Sequence, residues 1–258
     1  MIELKKSIEN IISSKNGTIG IAIKNLNTNE TIMINHNSIF NSASTIKLLI
    51  MSEILREINE GEHSLDELII LTEDVKVNGA GILKEFNSGH KFTIKEIITL
   101  MIVLSDNIAT NLLINIAGID RINKMGHDLH LKNTKIQRKM MDVTAVKTGK
   151  ENLTCAEDLF HILELIYKGE DVNRKYSNFM LDVLKKQQVN GRLDLYLPSG
   201  IVIAHKTGTL DKLEHDVGIV YLQNCTYIIC ILTSNNKTNI EGKEIIGTIS
   251  KIVYDAYK

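Results

Sequence analysis

Ser44-Thr45-Ile46-Lys47-Leu48-Leu49-Ile50-Met51, residues 44–51, puts a hydroxyl and an amine at the head of an apolar run that continues to Ile58. Thr45 to Ile58 is a long, mainly apolar segment and reads as a buried helix. Ser44 then stands near a helix N-terminus, with a free backbone N–H and the positive end of the helix dipole behind it. Lys47 is three residues on and shares a face with Ser44. Burying its charge among these neighbours is costly, which marks the amine as a candidate base.

Two later motifs supply the other parts that acyl transfer needs. Ser105-Asp106-Asn107 offers a hydroxyl relay, and Lys206-Thr207-Gly208 a fixed cation beside a strand backbone. Each motif has decoys, because Ser-x-x-Lys recurs at Ser88 and Ser234 and Lys-Thr-Gly at Lys147. Context separates them. Ser88 sits in a polar loop and Ser234 in an Asn-rich turn, while Lys147 lies in a polar stretch before a helix. Only Lys206 follows a strand-like run, Ile201 to His205.

Outward from these motifs, the chain opens on an amphipathic helix ending near Gly17, then a hairpin, Thr18-Ile23 and Glu30-Asn35, around Asn25–Asn29. A mainly helical stretch follows from about Ser42 to Gln188. Capping boxes at Thr93-Ile94-Lys95-Glu96 and Thr154-Cys155-Ala156-Glu157 predict helix starts, and Gly118 and Gly169 predict helix ends. Ser105-Asp106-Asn107 falls at a break between two helical runs, Ile94–Leu104 and Ile108–Ala117. Strands return at Ile201–His205, Val217–Leu222 and Tyr227–Thr233, and a helix over Ile245–Tyr257 closes the chain. The class is α+β. Residues 1–41 and 189–258 form an expected α/β lobe, and 42–188 an all-helical one.

Of the 258 residues 43% are apolar, yet no run approaches the ~18 consecutive apolar residues of a membrane span. The net charge of -1 gives no electrostatic case for nucleic acid or an anionic membrane. The first residues lack the apolar stretch of a secretory signal. A cytoplasmic protein is expected, unless the chain is a trimmed mature form of an exported one. Cys155, Cys225 and Cys230 have no metal-ligand spacing and read as reduced structural thiols. Cys225 and Cys230 are five apart and should point to opposite faces. His127-Asp128-Leu129-His130 lacks a third ligand, so no metal or cofactor is expected. By strand alternation, His205 points away from Lys206.

With Ser42–Leu49, Leu100–Leu113 and Ile203–Tyr221 carrying the motifs, the chain resembles class A β-lactamases and related penicillin-recognising serine hydrolases. The resemblance implies an antiparallel five-stranded sheet with flanking helices, an all-α lobe, and an active site in the groove between lobes. It implies Ser44 as nucleophile, Lys47, Ser105 and Lys206 as its proton and charge partners, and the N–H groups of Ser44 and Thr209 as oxyanion hole. Asn107, Thr207, Gly208 and Thr209 would bind substrate.

One departure stands out. The family's deacylating loop corresponds to Thr134–Asp142, where Arg138 matches the anchoring arginine and Met140 takes the place of the water-activating glutamate. Glu151 is the expected ion-pair partner of Arg138, and Asp142 the nearest carboxylate that could substitute as base. A small β-lactam, acyl peptide or ester is the expected substrate and a monomer the expected state. The leading reading is a serine hydrolase that acylates through Ser44 and deacylates slowly. A D-alanyl peptidase or esterase, and a β-lactam-binding protein that traps its acyl group, stand as alternatives.

Overall fold

The computed structural model describes residues 2–258. The elements run α1 (Ile2–Ser13), β1 (Thr18–Asn25), β2 (Thr31–Ile34), β3 (Phe40–Asn41) and α2 (Lys47–Asn59), with a short 3-10 turn, Ala43–Ile46, leading into α2. Then come β4 (Leu68–Ile70), β5 (Lys91–Thr93), α3 (Ile94–Val103), α4 (Asn107–Ala117), α5 (Ile119–Asp128) and α6 (Val143–Lys147). The last part holds β6 (Leu153–Thr154), α7 (Ala156–Lys168), α8 (Arg174–Leu184), β7 (Val202–Leu210), β8 (Leu213–Tyr221), β9 (Thr226–Ser234) and α9 (Asn239–Tyr257).

The chain divides into two compact units. The first comprises Met1–Thr45, Leu153–Glu164 and Asn190–Lys258, and the second Ile46–Asn152 and Leu165–Val189. Leu153–Glu164, expected within the helical stretch, clusters with the sheet because β6 pairs with β3, Phe40 opposite Thr154.

The sheet unit is built on five antiparallel strands in the order β2-β1-β9-β8-β7. Alternate residues of β1 (Ile19, Ile21, Ile23) and β9 (Tyr227, Ile229, Ile231) share one face. They form a core with Leu4 and Ile8 of α1 and with Ile245, Ile249 and Val253 of α9. Cys225 joins this core while Cys230 does not, and all three cysteines are buried and outside any disulfide. The strands run longer than their apolar cores suggest, because hairpin pairing from Val202↔Tyr221 to Leu210↔Leu213 carries β7 and β8 through polar residues.

In the helical unit α2 is the central element. Leu48, Leu49, Ile50, Met51, Ile54 and Leu55 are all buried, and α2 packs against α3, α4 and α5. α3 starts at the expected capping box. Thr93 Oγ1 accepts from Glu96 N (3.2 Å), and Thr93 N donates to Glu96 Oε2 (2.7 Å). Near the box expected at Thr154, α7 begins at Ala156, and Glu157 N donates to His36 O (3.1 Å). Among the described residues no helix is long and apolar enough to cross a membrane.

Candidate active site

Lys47 opens α2 and is fully buried. Its Nζ lies within hydrogen-bonding distance of Ser105 O (2.7 Å), Ser105 Oγ (3.1 Å) and Asn107 Oδ1 (3.2 Å). Ser105 reaches inward because its backbone takes a left-handed conformation (φ 54°) at the break between α3 and α4. Side chains disfavour that region, so neighbouring bonds must hold it.

Asp106 provides them. Its Oδ1 accepts from Ile108 N and Ala109 N (both 2.9 Å) and caps α4. Its Oδ2 accepts from Ile82 N (2.6 Å) and Leu83 N (2.9 Å). A buried carboxylate with four backbone donors thus clamps the loop before Leu83 onto the tripeptide. Gly81 makes the approach possible, since a Cβ there would fall 2.2 Å from the Asp106 carboxylate.

The loop from Thr134 to Asn152 is tied down by side-chain amides. Asn123 Oδ1 accepts from Ile136 N and its Nδ2 donates to Ile136 O (both 2.9 Å). Asn111 treats Met140 the same way, accepting from its N (2.8 Å) and donating to its O (3.1 Å). Each amide imitates a strand partner. Arg138 Nη2 lies 2.7 Å from Glu151 Oε2. Met140 is buried, beside a cavity of about 260 Å³ lined in part by Asp74, Asn111, Asn115 and Asp142. The Asp142 carboxylate accepts from Ala145 N (2.9 Å) and caps α6.

The sheet unit holds the remaining residues. Ser44 lies half-buried in the 3-10 turn after Ala43, whose φ of 45° forces the chain round sharply. Strand β7 runs close by. A Cβ on Gly208 would stand 3.1 Å from Ala43 Cβ and 3.3 Å from both Ser42 O and Thr45 Cγ2. The bare glycine lets this strand press on the turn without such a tight contact.

Lys206 is fully buried on β7 and donates to Thr207 O (2.9 Å). Burial pulls its pKa down to about 7, against the pull of Asp216, while the Arg192 charge lowers it further. Opposite, β8 carries three consecutive buried polar residues, Glu214, His215 and Asp216. Asp216 lies 2.8 Å from His205 Nδ1, so His205 is buried and paired. His215 Nε2 is 2.8 Å from Asn41 O, and burial holds its pKa down to about 4. Arg192 Nε donates to Glu214 Oε2 (2.7 Å) and Arg192 Nη2 to Thr209 Oγ1 (2.5 Å).

Arg192, Glu214 and Asn111 have no assigned role in the reading of the sequence. The run Glu214-His215-Asp216 in an apolar strand is a usable signal for one of them. Arg192 and Asn111 carry none, since their partners lie far away in the chain.

The protein family described as the β-lactamase enzyme family matches residues 3–257. Beta-lactamase VEB-1 of Pseudomonas aeruginosa is 28% identical over 269 residues, covering 98% of this chain and 90% of its own. A β-lactamase structure from Sphaerobacter thermophilus superposes with a TM-score of 0.91 at 29% identity, covering 98% of this chain and 96% of its own. PBP-A, solved as a leucine-to-glutamate variant in an acyl-enzyme complex with penicillin G, has a TM-score of 0.91 at 28% identity. It covers 99% of this chain and 96% of its own.

Proposed function

Because the chain belongs to the β-lactamase enzyme family, we propose that it opens a β-lactam amide through an acyl-Ser44 intermediate and releases the acyl group slowly. Ser44 Oγ attacks the carbonyl carbon while neutral Lys47 takes its proton. The Ser105 hydroxyl passes a proton to the departing nitrogen. The observation that carries this reading is Lys47 Nζ, fully buried and 3.1 Å from Ser105 Oγ. That contact gives the proton a path out of the base.

The N–H groups of Ser44 and Thr209 stabilise the developing oxyanion, a contribution of about 3–4 kcal/mol per donor. The close passage of Gly208 against Ser42, Ala43 and Thr45 supports this pairing. Lys206, Thr207 and Thr209 receive the substrate carboxylate, and Asn107 the substrate amide. The acyl-enzyme of the PBP-A variant with penicillin G supports acylation on this scaffold.

Deacylation needs a base to activate water, and Met140 cannot accept a proton. Asp142, the nearest alternative, caps α6. Loss of a positioned base costs about 10²–10⁴ in rate. Intact mass spectrometry after mixing with benzylpenicillin tests the reading. A single adduct that persists for many minutes and is absent from Ser44→Ala is expected. Met140→Glu should shorten its lifetime at least about tenfold, because Asn111 already holds that backbone. Rapid turnover by the wild type, with no adduct detectable, sinks slow release. The Met140 position favours a second reading, a protein acylated once as a trap, and an adduct stable for days would select it.

A further inference from the structure

Thr209 is exposed at the end of β7, but its hydroxyl is already engaged on the inner side. Arg192 Nη2 donates to Thr209 Oγ1 at 2.5 Å, and Thr209 Oγ1 stands 3.1 Å from Glu214 Oε2. A hydroxyl has one proton and Arg192 can only donate, so that proton goes to Glu214. The carboxylate is fully buried, and every other partner of its oxygens is a donor: Arg192 Nε on Oε2 (2.7 Å) and Asn239 Nδ2 on Oε1 (2.8 Å). Asn239 is oriented by its own contacts, since Nδ2 also donates to Leu210 O (2.7 Å) and Oδ1 accepts from Lys212 N (3.1 Å). Arg192 is 2% exposed and its charge is matched at close range by Glu214.

We propose that Glu214 is a specificity-determining residue that weakens the carboxylate clamp, by holding the Thr209 proton and neutralising Arg192. The proposal rests on the reading above that Lys206 and Thr209 receive the substrate carboxylate. A carboxylate arriving there meets an oxygen lone pair on Thr209 and an ion pair behind it. It must compete with Glu214 for the hydroxyl proton. Neutral acyl donors make no such demand. The site therefore discriminates only weakly between an acid and its ester, and it takes acyl compounds that lack the carboxylate.

The test compares benzylpenicillin with its methyl ester, following acylation of Ser44 by time-resolved intact mass over a range of concentrations. Wild type should prefer the acid by less than about tenfold in acylation efficiency. Glu214→Gln removes the charge that holds the Thr209 proton and uncovers the Arg192 charge. It should raise that preference about tenfold further, as expected for one charge-assisted hydrogen bond. The gain should appear in the half-saturating concentration of the acid, with the maximal acylation rate and the ester unchanged.

Glu214→Asp keeps the charge beside Arg192 but is too short to reach Thr209, so it should move the preference the same way by about threefold. It serves if Glu214→Gln does not fold. A merely structural role would slow acid and ester alike. Adduct formation with an acid-to-ester ratio unchanged in both variants overturns the proposal and leaves acylation by Ser44 standing. Absence of any adduct on the wild type overturns both.

Discussion

With its pKa drawn down to about 7 by burial, Lys206 is close to half protonated at neutral pH. A cation that binds a carboxylate must be charged in the free protein, so the free-protein pKa governs capture of the substrate. Raising the pH above 7 removes the charge, and the acylation efficiency of benzylpenicillin should fall, its slope approaching -1 from about pH 8. The methyl ester reports every other pH effect on acylation, because it lacks the group that Lys206 holds. The ratio of the two efficiencies should therefore drop about fivefold between pH 7 and pH 8. A ratio that stays constant from pH 6 to pH 9 would show that Lys206 does not hold the carboxylate.

At the scale of elements, the approach of β7 to the 3-10 turn depends on the missing side chain of Gly208. A methyl group 3.1 Å from Ala43 Cβ and 3.3 Å from the Ser42 carbonyl must push the strand outward by some tenths of an ångström. Thr209 N moves with it, and oxyanion donors act only at correct distance. Gly208→Ala should slow acylation by about 10²-fold while the melting temperature changes by only a few degrees; acylation within twofold of wild type would remove β7 from the site. The Gly208 requirement was legible as part of a motif, though its cause is a long-range contact. The same divide runs through the chain. The capping box at Thr93 and the Asp106 cap of α4 were legible because their partners are at most three residues away. At the start of α7 a distant acceptor, His36 O, takes the Glu157 N–H, which the local sequence does not announce. Asn111 with Met140 and Arg192 with Glu214 are separated by 29 and 22 residues. No local periodicity encodes such pairs.

Across the whole molecule, the two units store buried ionisable groups of opposite sense. In the helical unit, burial raises the pKa of Glu53 from 4.5 to about 7, despite Arg56 and Arg121 and aided by Glu57. Burial likewise raises Asp171 from 3.8 to about 7. Between pH 4.5 and 7 the folded unit keeps protons that the unfolded chain has released, so its stability falls as pH rises. In the sheet unit His215 is lowered from 6.5 to about 4, and Lys206 from 10.5 to about 7. There the unfolded chain binds the extra proton, so these two groups add stability as pH rises, His215 from 4 to 6.5 and Lys206 above 7. Native-state hydrogen exchange separates the units, because amides in α2 and α4 report one and those in β8 and β9 the other. After correction for intrinsic exchange, protection in α2 and α4 should decrease from pH 4.5 to 6.5 while protection in β8 and β9 increases. Glu53→Gln removes one titrating group and should flatten the first trend without touching the second. If both units move in the same direction over that interval, the buried carboxyls do not set the stability of the helical unit. If Glu53→Gln changes neither slope, Glu53 in particular is excluded as its source.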